Sequence, residues 1–117
     1  MAGIKVLCSL QGSAWLALGD MGELGDDAAE FHRQAGRTAR ELGIEKLFAV
    51  GEMSCLACDE FGEAAQCCAT IEEMADAILA EIHPGVNLLV KGSRAAGMER
   101  LVEILNHASK GGQANAV

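Results

Sequence analysis

Apolar and polar positions follow two rhythms along this chain. Short apolar blocks at residues 15–19 (Trp-Leu-Ala-Leu-Gly), 46–50 (Lys-Leu-Phe-Ala-Val), 66–68 (Gln-Cys-Cys) and 86–91 (Val-Asn-Leu-Leu-Val-Lys) are too short for helices and read as buried strands. Between and after them, apolar residues recur at helical spacing. Ala28, Phe31, Ala35, Ala39 and Leu42 form one stripe from about Asp27, where Asp27 and Glu30 have capping-box spacing. Residues 54–61 predict a short helix stopped by Gly62. Thr70 and Glu73 predict a capping box for a helix to about Ile82, with Ile71, Met74, Ile78 and Ile82 facing inward. Met98, Leu101, Val102 and Leu105 mark the last helix. Ahead of all this, Ile4, Leu7 and Cys8 suggest a helix over residues 3–11, ended at Gly12.

Strands that alternate with helices imply right-handed crossovers and a mainly parallel sheet covered on both faces, a Rossmann-like α/β three-layer sandwich. The expected strand order is 3-2-1-4. The switch point then falls between strands 1 and 4, where open sheets of this kind bind ligands outside the strands' carboxyl ends. Two glycine-bearing loops meet there: Gly19-Asp20-Met21-Gly22-Glu23-Leu24-Gly25 and Lys91-Gly92-Ser93-Arg94. The expected organisation is a lead-in helix at 1–12, one domain at 13–109 and a disordered tail at 110–117, where apolar periodicity stops.

Composition narrows the function classes. The 117 residues fit one domain, half of them are apolar, and the formal net charge is −8. That charge argues against nucleic acid and anionic membranes as partners. No apolar run approaches the roughly 18 residues of a membrane span, and no signal peptide is visible, so a cytoplasmic location is expected. Five cysteines (Cys8, Cys55, Cys58, Cys67 and Cys68) in such a chain favour reduced thiols over a disulfide framework.

Several chemistries can be weighed at these residues. The spacing of Gly19, Gly22 and Gly25 does not meet the dinucleotide fingerprint, and the second loop lacks the order of a Walker A loop. Asp20 and Glu23 suit an ammonium group or a cation, or Asp20 simply satisfies loop amides. Lys91, Ser93 and Arg94, with permissive Gly92, suit a carboxylate or phosphate at a helix start. His32 reads as a boundary histidine packing against the loop, or as a contact to substrate or a neighbouring domain. Cys55-Leu56-Ala57-Cys58 is the rival motif, a stand-alone thiol or metal module. Zinc would require a second, better-spaced ligand pair, so no metal site is expected. No Ser-His-Asp order or nucleophile elbow is present, and no general base can be assigned.

The first loop, His32, Gly36, Val50-Gly51, Leu89-Val90-Lys91-Gly92-Ser93-Arg94 and Met98-Glu99 form an ordered set spanning about residues 15–105. Together they resemble the C-terminal domain of the Mur ligases that add D-alanyl-D-alanine to UDP-N-acetylmuramoyl-tripeptide. The resemblance implies a three-domain, ATP- and Mg2+-dependent enzyme of peptidoglycan precursor synthesis. Its central domain would carry most of the nucleotide and metal contacts, and this chain would be inactive alone. An acyl phosphate on the tripeptide would be attacked by the dipeptide amine. Asp20, Glu23, His32, Lys91, Gly92, Ser93 and Arg94 become the candidate substrate-binding residues, and the other two domains become partners. A stand-alone small-molecule binder is the further alternative.

Overall fold

The computed structural model describes residues 13–21, 25–83, 85–92, 97–108 and 114–116. The helix expected at 3–11, Glu23, Ser93 and Arg94 lie outside the described residues.

Strand β1 (Ser13–Gly19) is followed by a 3-10 turn (Gly25–Asp27) and helix α1 (Ala28–Glu41). Then come β2 (Lys46–Val50), α2 (Cys55–Phe61), β3 (Ala65–Cys68), α3 (Ile71–Glu81), β4 (Val86–Lys91), α4 (Met98–Ala108) and β5 (Ala114–Ala116). The sheet order is β3-β2-β1-β4-β5, parallel throughout. The expected order of the first four strands is therefore observed. The tail is corrected in part: Ala114–Ala116 pairs with Val86 to Leu88 as a fifth strand. Backbone pairing at a sheet edge needs no apolar periodicity, so the pattern could not announce it.

Side-chain alternation along β1 divides the core. Trp15 and Ala17 face the α3 and α4 side with Phe48, Met74, Ile78, Leu88 and Leu101. Leu16 and Leu18 face the α1 and α2 side with Leu47, Ala35, Ala39, Ala57 and Phe61. Helices lie on opposite faces because the crossovers run β1 to β3 in one direction and return past β1 to β4. That reversal creates the switch point.

Two local readings change. Asp27 has helical backbone angles (φ −86°, ψ −2°) and makes no side-chain cap bond, because the 3-10 turn winds the chain before α1 begins. At α3 the Thr70 hydroxyl accepts from the Glu73 amide at 3.0 Å, and the Glu73 carboxylate reaches back to the Ala69 amide at 3.0 Å. The α1 stripe keeps Ala35 and Ala39 but takes His32 in place of Phe31. His32, Ala35, Gly36 and Ala39 are the buried positions, while Phe31 is only partly covered.

Candidate functional site

The carboxyl ends of three strands align. Gly19 is in register with Val50 of β2, and Leu18 with Lys91 of β4. Asp20 therefore leaves β1 between the end of β2 and Lys91-Gly92. Of the predicted site residues, the fold brings Asp20, Lys91 and Gly92 to one edge of the sheet, all partly exposed.

Asp20 is held toward β2. Its Oδ1 accepts from the Ser54 amide at 2.7 Å, so a side chain 34 residues upstream caps the start of α2. Ser54 is fully buried, and its hydroxyl donates to the Val50 carbonyl at 2.5 Å, with the Gly51 carbonyl at 3.2 Å. Gly51 is required between them. Its φ is +110°, and a Cβ there would lie 2.5 Å from Asp20 Oδ1. The amide that Asp20 is seen to satisfy lies at the start of α2, 34 residues along the chain.

His32 fixes the same loop from below. It is 0% exposed; Nε2 accepts from the Met21 amide at 3.0 Å, and Nδ1 lies 2.5 Å from the Ala28 carbonyl. This pairing requires the hydrogen on Nδ1 and a neutral ring. His32 is therefore a positioning residue, with both nitrogens occupied inside the protein. Four residues on, Gly36 lets α1 touch α2: a Cβ there would lie 2.2 Å from the Ala57 carbonyl oxygen. Gly36, Gly51, Ser54 and His32 thus form one support beneath residues 19–21.

Sequence reasoning missed Ser54, expecting it only to begin a short helix. It also placed Phe31 in the core and His32 at its boundary. The spacing of His32, Ala35, Gly36 and Ala39 at intervals of three, one and three was the available signal.

The cysteines require correction. Cys55 is bonded to Cys67, with Cα atoms 5.3 Å apart, so these two are not the reduced thiols expected. Nor do Cys55 and Cys58 act as a pair. The helix carries Cys58 one turn onward, while the crossover into β3 lays Cys67 over the first turn of α2. Burial, reinforced by Asp59 and Cys68, pushes the Cys58 thiol up to about 11; burial also raises Cys68. Neither has the depressed value of a nucleophilic thiol. Among the described residues no group of three His, Cys, Asp or Glu side chains is arranged to hold a metal.

Fold and site together define a Rossmann-like domain with a shaped loop at its switch point. The sequence profile of the Mur ligase, glutamate ligase domain matches residues 2–94. The chain belongs to the Mur ligase family through this domain. It is 34% identical over 113 residues to the UDP-N-acetylmuramoyl-tripeptide–D-alanyl-D-alanine ligase of Buchnera aphidicola, covering 94% of this chain and 24% of that protein. The Escherichia coli enzyme of the same name is 35% identical over 107 residues, covering 89% and 23%. Among solved structures, MurF from Acinetobacter baumannii superposes with a TM-score of 0.80 at 30% identity, covering 91% of this chain and 25% of that one. MurF ligase from Thermotoga maritima, in complex with ADP, shares the fold with a TM-score of 0.80 at 20% identity, covering 93% and 25%. The chain spans about a quarter of the length of these relatives.

Proposed function

We propose that this chain is the amino-substrate domain of an ATP-dependent ligase that joins D-alanyl-D-alanine to UDP-N-acetylmuramoyl-tripeptide in the cytoplasm, in peptidoglycan precursor synthesis. The observation that carries the reading is the Asp20 loop, held from beneath at the β1–β4 switch point beside Lys91-Gly92. The same loops are the motif residues of the family resemblance. A zwitterionic dipeptide needs an anion for its ammonium and cations for its carboxylate. Asp20 and Glu23 are the candidates for the first; Lys91, Ser93 and Arg94, with Gly92 allowing close approach, are the candidates for the second.

ATP and Mg2+ supply the chemistry of acyl-phosphate formation when bound. The chain carries no Gly-x-x-x-x-Gly-Lys loop, which supports assigning them mainly to the central domain of the longer enzyme. The work left to this chain is positioning. Holding the dipeptide amine against the acyl phosphate converts a bimolecular encounter into a step within one complex, an advantage that can reach several kcal/mol. Closure of this domain on the central one completes the site, so the isolated domain is inactive.

The test is Lys91→Ala and Asp20→Asn in the complete enzyme. The asparagine keeps an oxygen for the Ser54 amide while removing the charge, which separates loop support from ligand contact. Each variant is expected to raise KM for D-alanyl-D-alanine about tenfold, the loss of one charge-assisted contact. Unchanged kinetics in both variants would reject the site. Micromolar binding of the dipeptide to the isolated chain, read by calorimetry, would favour a stand-alone binder instead.

A further inference from the structure

The cystine occupies a position that the proposed ligase reading leaves unused. Cys55 is the first residue of α2 and directly follows Ser54, whose amide is bonded to Asp20. Cys67 stands on β3, at the sheet edge, and is exposed, while Cys55 is half-buried. The bond therefore ties the turn that holds Asp20 to a strand outside the switch point. Hydrogen bonds hold the same turn from within: the Ser54 hydroxyl on the Val50 and Gly51 carbonyls, and the Cys55 amide on the Gly51 carbonyl at 3.1 Å.

We propose that Cys55–Cys67 is a redox-sensitive tether that sets the rigidity of the Asp20 loop and thereby the affinity of the switch-point site for its ligand. Its bearing on dipeptide affinity rests on the ligase reading; its bearing on loop rigidity does not. The chemistry is thiol–disulfide exchange with a dithiol reductant. One thiolate of the dithiol attacks the exposed Cys67 sulfur, forming a mixed disulfide and expelling the Cys55 thiolate, which takes up a proton. The second thiol of the dithiol then displaces Cys67, which also leaves as a protonated thiol. Two electrons and two protons pass from the dithiol to the cystine, and the reductant becomes a disulfide. A disulfide-bearing oxidant such as oxidised glutathione reverses the exchange. Reduction removes a constraint on residues 51–55, and the Ser54 amide loses its fixed geometry toward Asp20.

The experiment has two arms. In the 117-residue chain, amide hydrogen exchange is followed in the oxidised form, after dithiothreitol, and in the Cys55→Ser/Cys67→Ser variant, with alkylation and mass measurement to count thiols. Protection of the Ser54 amide is expected to fall about tenfold on reduction, with the variant resembling the reduced form. Cys58→Ser should leave this response intact. Equal protection in the oxidised and reduced forms overturns the proposal, as does alkylation of all five cysteines before reduction. In the complete enzyme, dithiothreitol is expected to raise KM for D-alanyl-D-alanine about threefold to tenfold, with a smaller change in kcat. The variant should show the raised KM with no further response. A fall in protection with KM unmoved would uphold the tether's control of the loop and reject its control of affinity, while the ligase reading is decided separately by Asp20→Asn and Lys91→Ala.

Discussion

The two ends of β1 are built on opposite plans. At the amino end, side chains lock side chains. The Trp15 indole, fully buried, donates from Nε1 to Glu45 Oε1 at 3.0 Å, and the Ser13 hydroxyl donates to Glu45 Oε2 at 3.1 Å. Lys46 Nζ lies 5.8 Å from the indole centroid and donates to Glu81 at 2.7 Å, while His83 meets the indole edge-on at 6.1 Å. At the carboxyl end, side chains hold backbone: Asp20 accepts from the Ser54 amide and His32 from the Met21 amide. Two glycines are needed there for steric reasons. The first plan fastens the sheet. The second fixes the path of a loop, as a ligand site requires.

The sharpest way to break this contrast is to fill the glycines. Gly36→Val should be the most damaging change. Its Cβ would sit 2.2 Å from the Ala57 oxygen and 2.8 Å from the Ala57 carbon, backbone atoms that can retreat only by separating α1 from α2. A loss of about 3 kcal/mol, at the upper end of ordinary overpacking, is expected in urea denaturation. A midpoint within error of the parent would refute the close approach.

His32→Ala should follow. It strands the Met21 amide beside an empty volume, and a stability loss of about 1–3 kcal/mol is expected from the lost bond and packing. The diagnostic readout is local: exchange at the Met21 amide should accelerate more than exchange in β2. Uniform acceleration through the domain would mean that His32 is merely a core residue.

Much of this fold is legible because short apolar blocks and helical spacing mark the elements and the crossover rule orders them. The strand order follows from four blocks and their connections, and the loops at 19–25 and 91–94 stand out as glycine-bearing breaks after apolar strands. The support under the first loop was not legible in the same way. Asp20 and Ser54 meet across 34 positions, and no local pattern announces a carboxylate that caps another segment's turn. Phe31 outweighed His32 by hydrophobicity, yet the close packing of α1 on α2 selected the stripe that contains Gly36. The cystine was hidden for a related reason. Sequence spacing favoured Cys55 with Cys58, whereas the β2-α2-β3 crossover brings in Cys67.

The smallest expected effect lies at the amino end and depends on pH. Hydrogen bonds from Trp15 and then Ser13 hold the Glu45 carboxyl below its ordinary value of 4.5; burial opposes them, and His83 and Lys46 add weak attraction. A carboxyl depressed on folding stabilises the protein fully above its unfolded value. That contribution disappears as pH falls through the folded value, where both states bind the proton. Because Glu45 is exposed, water screens the interaction and the effect is modest. Glu45→Gln keeps an oxygen for the indole but has no charge to lose. Urea midpoints of parent and variant should therefore differ most near neutrality and converge in acid, below the ordinary glutamate range. Parallel curves would remove the pH dependence from this end of β1. On the proposed ligase reading, the same variant in the complete enzyme should leave KM for D-alanyl-D-alanine unchanged, because its bonds reach Trp15 and Ser13 at the end of β1 away from Asp20. A raised KM would mean that the two ends of β1 are coupled.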